Sequence, residues 1–103
     1  MMSVEELDLA TFQDRAGEAA RLLKALANER RLVILCKLIK AGEMNVSSLG
    51  ESAGLSQSAL SQHLALMREE GLVVSRRAAQ TIFYRIANPA VAQVLVTLKS
   101  IYC

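Results

Sequence analysis

The stretch of sequence that decides the fold is residues 55–73, Leu-Ser-Gln-Ser-Ala-Leu-Ser-Gln-His-Leu-Ala-Leu-Met-Arg-Glu-Glu-Gly-Leu-Val. At about 100° per residue, a helix over this stretch places Leu60, Leu64 and Met67 on one side. The opposite side carries small polar groups, a methyl and one guanidinium, from Gln57, Ser58, Ser61, Gln62, Ala65 and Arg68. These groups suit the base edges of the DNA major groove. Taken alone, the segment fits either a DNA-reading helix or an ordinary amphipathic helix.

The residues just before this helix favour its interpretation as a DNA-reading helix. Ser47 and Ser56 are candidate N-caps of two short helices, and Gly54 between them permits a left-handed turn. Leu55 is the expected packing anchor between the helices, and Gly71 is expected to end the second one. This is the layout of a helix-turn-helix, in which the second helix reads DNA.

The residues after Gly71 change from helical to β-strand patterning. Residues 73–78 and 81–86 are two β-favouring runs around Ala79-Gln80, which predicts a hairpin. The hairpin carries polar and basic side chains, namely Arg76, Arg77, Gln80, Thr81 and Arg85. Such side chains can lie along phosphates, whose contacts supply most of the salt-dependent affinity. The alternative is a solvated turn that contacts nothing, but the position directly after a helix-turn-helix favours a DNA-binding wing.

Three further helices complete the predicted fold. They span residues 9–26, residues 29–40 between the N-cap Asn28 and the terminator Gly42, and the segment from Asn88-Pro89 to the chain end. The predicted class is therefore mainly α with a β-hairpin wing, in the order α-α-α-α-β-β-α. We expect a flexible lead-in over residues 1–8 and one winged-helix domain over residues 9–103. The apolar first and last helices are the expected homodimer faces, because a chain this short buries only a modest core.

Composition narrows the function classes. The chain has 103 residues, 52% of them hydrophobic, and a net charge of +2 from 12 basic and 10 acidic side chains, so it is not a polycation. It has one histidine, no glycine-rich phosphate loop and no nucleophile–base constellation, so we expect neither an enzyme nor a cofactor. No segment is suited to span a membrane or to act as a signal peptide, which predicts a cytoplasmic protein with reduced thiols.

Residues 56–73, the Asn28-Glu-Arg-Arg-Leu-Val-Ile-Leu segment and the strand Gln80-Thr-Ile-Phe-Tyr-Arg together resemble the ArsR/SmtB family of winged-helix repressors. The resemblance covers roughly residues 18–103. It implies a homodimer that binds an imperfect palindrome in double-stranded DNA and leaves it when an inducer arrives. The predicted DNA-binding residues are Ser56, Gln57, Ser58, Ser61, Gln62, His63, Arg68, Arg76, Arg77 and Gln80.

Many members of that family sense metals, but the usual ligands are missing here. Met44-Asn45-Val46-Ser47 stands where one type of member has paired cysteines, and the last helix contains no Asp, Glu or His. His63 is therefore expected to have a structural or phosphate-contacting role, and we predict no metal ligand set. A soft ion held by two thiolates is the remaining metal alternative.

The two cysteines, Cys36 and Cys103, are the remaining candidates for a sensor. By spacing alone they are two unrelated thiols, one a buried small hydrophobe and the other a terminal residue. The fragments Arg-Leu-x-Ile-Leu-Cys and Leu-Lys-Ser-Ile-Tyr-Cys, however, resemble the HlyU, SqrR and BigR type of persulfide- and redox-responsive repressor. That resemblance implies a Cys36/Cys103 dithiol that reacts with reactive sulfur or an oxidant, forming a disulfide or polysulfide link that changes operator affinity.

Two alternatives remain open beside the dithiol sensor. One is a thiolate sensor of a metal or metalloid ion. The other is a winged helix that senses nothing and acts through protein contacts or by competing with another DNA-binding protein.

Overall fold

The computed structural model describes residues 8–103 and shows five helices and three strands in that range. The helices are α1 (Leu9–Leu26), α2 (Glu29–Ala41), α3 (Val46–Ala53), α4 (Gln57–Glu69) and α5 (Pro89–Tyr102). The strands are β1 (Met44–Asn45), β2 (Val73–Ala78) and β3 (Thr81–Ile86). The predicted helices and hairpin are confirmed, and the architecture is a winged helix-turn-helix.

Side-chain caps fix where the helices begin. Asn28, Ser56 and Asn88 each accept a hydrogen bond from a backbone N–H in the first turn of the helix that follows, as predicted. Asp8 caps α1 in the same way. The predicted lead-in otherwise concerns residues 1–7, which lie outside the described residues.

The predicted cap of α3 is wrong. Asn45, not Ser47, accepts the N–H of Ser48 at 2.8 Å, so the helix begins two residues earlier than a Ser47 cap would allow. The reason is tertiary, because Asn45 also belongs to β1 and is already held in extended backbone by its pairing with Phe83. β1 itself was not predicted, since a strand of two residues shows no alternation and pairs with residues far along the chain.

The sheet is antiparallel, in the order β1-β3-β2. β2 and β3 pair from Val73 with Ile86 to Ala78 with Thr81, which leaves Ala79 and Gln80 in the turn. Ala79 has a φ of 56°, a conformation that is unfavourable for a residue with a Cβ.

The core lies between the helices and one face of the sheet. It is aliphatic apart from one tyrosine and one methionine, and consists of Leu26, Ile34, Leu35, Leu38, Leu49, Leu60, Leu64, Met67, Leu72, Val73, Tyr84, Val91 and Leu95. Because this core includes residues of both α4 and the hairpin, it fixes the position of these two elements relative to each other. Within residues 8–103, no helix has the length and apolar character needed to cross a membrane.

Candidate nucleic-acid interface and cysteine pair

α4 separates its side chains as the sequence predicts. Leu60, Leu64 and Met67 are buried, each at most 1% exposed. The polar side is exposed to solvent and consists of Gln57, Ser58, Ser61, Gln62, Ala65 and Arg68. The first turn of α4 contains no acidic residue, so the positive end of the helix dipole is not neutralised there. This end of α4 is suited to approach a polyanion.

The turn between α3 and α4 is tight and depends on glycine. Gly54 adopts φ 68° and ψ 34°, the left-handed conformation expected of it, and Leu55 packs against the core. Gly50, which the sequence analysis missed, is buried in α3, and a Cβ there would lie 3.3 Å from the carbonyl oxygen of Leu55. The absence of a side chain at Gly50 lets α3 approach the start of α4 closely.

A cleft separates the first turns of α4 from the hairpin. It brings together the predicted residues Gln57, Ser61 and Gln80. The floor and remaining walls are formed by Asn45, Val46, Ser47, Leu64, Thr81, Ile82 and Tyr84. The cleft therefore combines amide and hydroxyl groups from the helix-turn-helix with those of the wing tip.

The two adjacent arginines of β2 have different surroundings. Arg77 is exposed, and its Nε donates to the carbonyl oxygen of Ala79 at 3.2 Å. Arg76 instead forms two hydrogen bonds to the carboxylate of Glu43, at 2.8 Å from Nε and 2.6 Å from Nη2. These bonds hold the pKa of Glu43 below its usual range. Sequence reasoning missed Glu43, because its partner lies in a different element and no local pattern joins them.

Two of the predicted DNA-binding residues, Ser56 and His63, have other contacts in the structure. The Ser56 hydroxyl accepts the N–H of Ala59 at 3.2 Å, so it acts first as a helix cap, with its own proton left to donate. His63 is half-buried and lines a groove beside α1, together with Leu22 and Leu66, rather than the cleft at the wing. A phosphate contact by His63 stays a prediction.

Both cysteines are free thiols exposed to solvent. Cys36 lies on α2 on the side away from the buried residues Ile34, Leu35 and Leu38. Cys103 follows the last turn of α5, and its N–H donates to the carbonyl oxygen of Lys99 at 2.9 Å. The interpretation of Cys36 as a buried small hydrophobe is therefore wrong, and both thiols are open to reagents. In the described part of the chain, no three His, Cys, Asp or Glu residues gather as a metal site.

α1 and α5 expose large apolar side chains. The most exposed are Leu9, Phe12, Leu23, Val96, Ile101 and Tyr102, with values from 58% for Phe12 to 81% for Tyr102. Such side chains concentrated on the first and last helices form an apolar surface that is suited to a protein interface.

A helix-turn-helix with a small polar recognition face, followed by a hairpin with an arginine near its tip, defines a winged-helix DNA-binding regulator. The model of a family described as bacterial regulatory protein, arsR family, matches residues 28–75. The chain is 49% identical over 96 residues to the HTH-type transcriptional regulator YgaV of Escherichia coli K12, covering 93% of this chain and 97% of YgaV.

Solved structures agree with this result. Reduced HlyU from Vibrio cholerae N16961 is 46% identical, with a TM-score of 0.82 and coverage of 90% of this chain and 97% of that one. The repressor BigR from Xylella fastidiosa is 38% identical, with a TM-score of 0.88 and coverage of 94% and 98%. The chain belongs to the arsR family of bacterial regulatory proteins. It is a DNA-binding transcriptional regulator and not an enzyme.

Proposed function

We propose that the protein is a homodimeric repressor whose affinity for its operator is controlled by the oxidation state of Cys36 and Cys103. The observation that carries this proposal is that both thiols are free and exposed, on α2 and at the end of α5. The relatives support it, since HlyU has a solved structure specifically of the reduced protein and BigR is a repressor.

The exposed apolar faces of α1 and α5 support the dimer. Covering side chains such as Phe12 and Tyr102 removes apolar surface from water, at about 25 cal/mol per Å². A two-fold axis then places the two copies of α4 about one turn of DNA apart, which is the spacing of palindromic half-sites.

In each half-site, α4 enters the major groove with its polar face toward the bases. Gln57, Ser58, Ser61 and Gln62 supply amides and hydroxyls that can pair with base edges, adenine being the typical partner of glutamine. Arg68, Arg77 and Gln80 are suited to phosphate contacts, because they are exposed at the end of α4 and at the wing tip.

The sensing chemistry is a two-electron oxidation of the two thiols. With a peroxide, one thiolate attacks an oxygen of the O–O bond and becomes a sulfenic acid, while the other oxygen leaves as water or an alcohol. The second thiolate then attacks the sulfenic sulfur and expels hydroxide, which leaves as water, to give the disulfide. With a persulfide, one thiolate takes the terminal sulfur and releases the donor thiol. Attack by the second thiolate on the inner sulfur then gives a disulfide and releases hydrosulfide. A second equivalent of persulfide can first add another sulfur to the protein persulfide and release a second donor thiol. Attack by the other thiolate on the central sulfur of that chain then expels hydrosulfide and leaves a link with one extra sulfur.

A link between Cys36 and Cys103 would act on DNA binding through packed helices. α2 packs against both α5 and α3, and α3 packs against α4 across the Gly54 turn. A covalent link between α2 and the end of α5 therefore changes the relative positions of the helices that support α4 and the dimer face. A coupling of about 1–3 kcal/mol changes affinity roughly five- to 150-fold.

The test uses a DNA duplex that the wild-type protein selects from a random library. Mass spectrometry after treatment with a persulfide or peroxide identifies the link as the loss of hydrogens from both thiols, with or without added sulfur. The Cys36→Ser and Cys103→Ser proteins should bind the duplex normally and keep binding after treatment. Normal release by Cys36→Ser contradicts the dithiol proposal. Release of the untreated wild-type protein by arsenite or Cu(I) favours the metal-sensing alternative.

A further inference from the structure

The Arg76 guanidinium is bound by other side chains of the protein, although the Arg76 side chain is 54% exposed. One edge of it binds both carboxylate oxygens of Glu43, and its central carbon lies 4.5 Å from the ring centroid of Phe83. Bidentate arginine–carboxylate pairs are among the strongest and most directional contacts between side chains. Stacking on an aromatic ring further restricts the guanidinium plane.

This cluster joins three separate parts of the fold. Glu43 lies between Gly42, which caps the C-terminal end of α2, and the start of β1. Phe83 is the strand partner of Arg76 on β2 and of Asn45 on β1. The pair therefore ties the middle of β2 to the loop that follows α2, across the whole width of the sheet.

Neighbouring residues of a strand point to opposite faces of the sheet. Arg76 belongs to the face with Phe83 and Glu43. Arg77 belongs to the other face, with its strand partner Ile82, which lines the cleft at α4. The two arginines are adjacent in sequence but lie on opposite faces of the sheet, so they can have different roles.

We propose that Arg76 is a positioning residue rather than a phosphate contact. Glu43 and Phe83 hold it, and through it they set the angle at which the wing presents Arg77 and Gln80 to DNA. This inference rests on the proposed function, in which the wing contacts DNA, and it corrects the sequence-based grouping of Arg76 with Arg77. The competing arrangement is that DNA draws Arg76 away from Glu43 and binds it directly.

Charge reversal separates the two arrangements. Arg76→Glu should weaken binding to the selected duplex at least about fivefold, within the range measured for coupled residues. The double variant Glu43→Arg/Arg76→Glu restores both the ion pair and the net charge. It should therefore recover affinity to within about twofold of wild type. If position 76 faces phosphate, a carboxylate there repels DNA and the double variant stays as weak as Arg76→Glu.

The salt dependence of binding tests independently whether Arg76 contacts a phosphate. Arg76→Gln should lower affinity without changing the slope of log affinity against log salt. Arg77→Gln, the matched neighbour, should reduce that slope by about 0.9 per protomer, the value for one lost phosphate contact. An equal loss of slope in both variants overturns the inference.

Thermal melting checks that each variant is folded. If Arg76→Glu does not fold, the salt dependence of Arg76→Gln still tests the proposal. Failure of the wild-type protein to select any duplex would count against the proposed function. Failure of the charge-reversed pair to recover, with normal wild-type binding, counts against the role of Arg76 alone.

Discussion

Among single residues, Arg31 connects three helices of the fold through one side chain. Its side chain is only 12% exposed, and its Nη1 donates to the carbonyl oxygen of Ala25 at 3.0 Å and to Glu70 at 2.8 Å. These bonds join the ends of α1 and α4 to the start of α2. The Glu70 side chain is 41% exposed, so solvent weakens this ion pair, and the better enclosed contact is the charged hydrogen bond to the Ala25 carbonyl oxygen.

We expect Arg31→Ala to lower the free energy of unfolding by about 1–3 kcal/mol, since it removes charged hydrogen bonds and leaves the Ala25 carbonyl without that donor. Urea unfolding measures the change. Arg15→Ala is the matched control, because the Arg15–Glu18 pair is largely exposed and its loss should leave the midpoint unchanged. An equal effect of the two substitutions would show that the enclosure of Arg31 is unimportant.

In the proposed function, two elements share DNA binding, namely α4 and the wing. The exposed amides of α4 are suited to base edges, whereas Arg77 at the wing tip is suited to the backbone. Specificity and salt dependence should therefore belong to different elements.

Gln57→Ala and Gln62→Ala should each cost about 1–3 kcal/mol of binding to the selected duplex, with little change for a scrambled duplex or in the salt slope. Fluorescence anisotropy with both duplexes measures the difference. Glu69→Ala, at the far end of α4, is the control and should keep the discrimination. Loss of affinity for both duplexes alike would mean that α4 does not read bases.

The turn of the wing carries a conformational cost at Ala79, whose φ is 56°. Ala79→Gly should raise the free energy of unfolding by up to about 1 kcal/mol, because glycine adopts positive φ without a Cβ clash. Ala78→Gly, in regular strand pairing with Thr81, should lower it instead. Calorimetry compares the two variants, and a loss of stability in Ala79→Gly would remove the claim of strain.

At the scale of the whole molecule, the apolar faces of α1 and α5 predict the assembly. Phe12→Glu should shift the protein toward monomer in sedimentation and weaken operator binding, because each half-site is then bound separately. Val33→Glu is the control, since Val33 is also partly exposed but lies on α2, and it should leave the assembly intact. A stable dimer of Phe12→Glu would place the interface elsewhere.

The sequence predicted those parts of the molecule that rest on local chemistry. Caps and glycines fixed the helix ends, and strand propensity fixed β2 and β3. The parts that it missed depend on contacts between distant segments. β1 pairs with β3, which lies far along the chain, and this pairing holds Asn45 where it caps α3. Arg76 forms hydrogen bonds to Glu43, which lies outside the hairpin. The groove that His63 lines was also not predicted, because it depends on how α1 lies beside α4.

In the proposed function, linking Cys36 to Cys103 releases the protein from DNA. The most direct measurement follows, in the same samples, the fraction of linked protein by mass spectrometry and the fraction of operator bound as a persulfide is titrated. If the link releases DNA, bound operator falls in proportion to linked protein and returns on reduction, with neither change in Cys103→Ser. Complete linkage with operator still bound, or release without linkage, would contradict it.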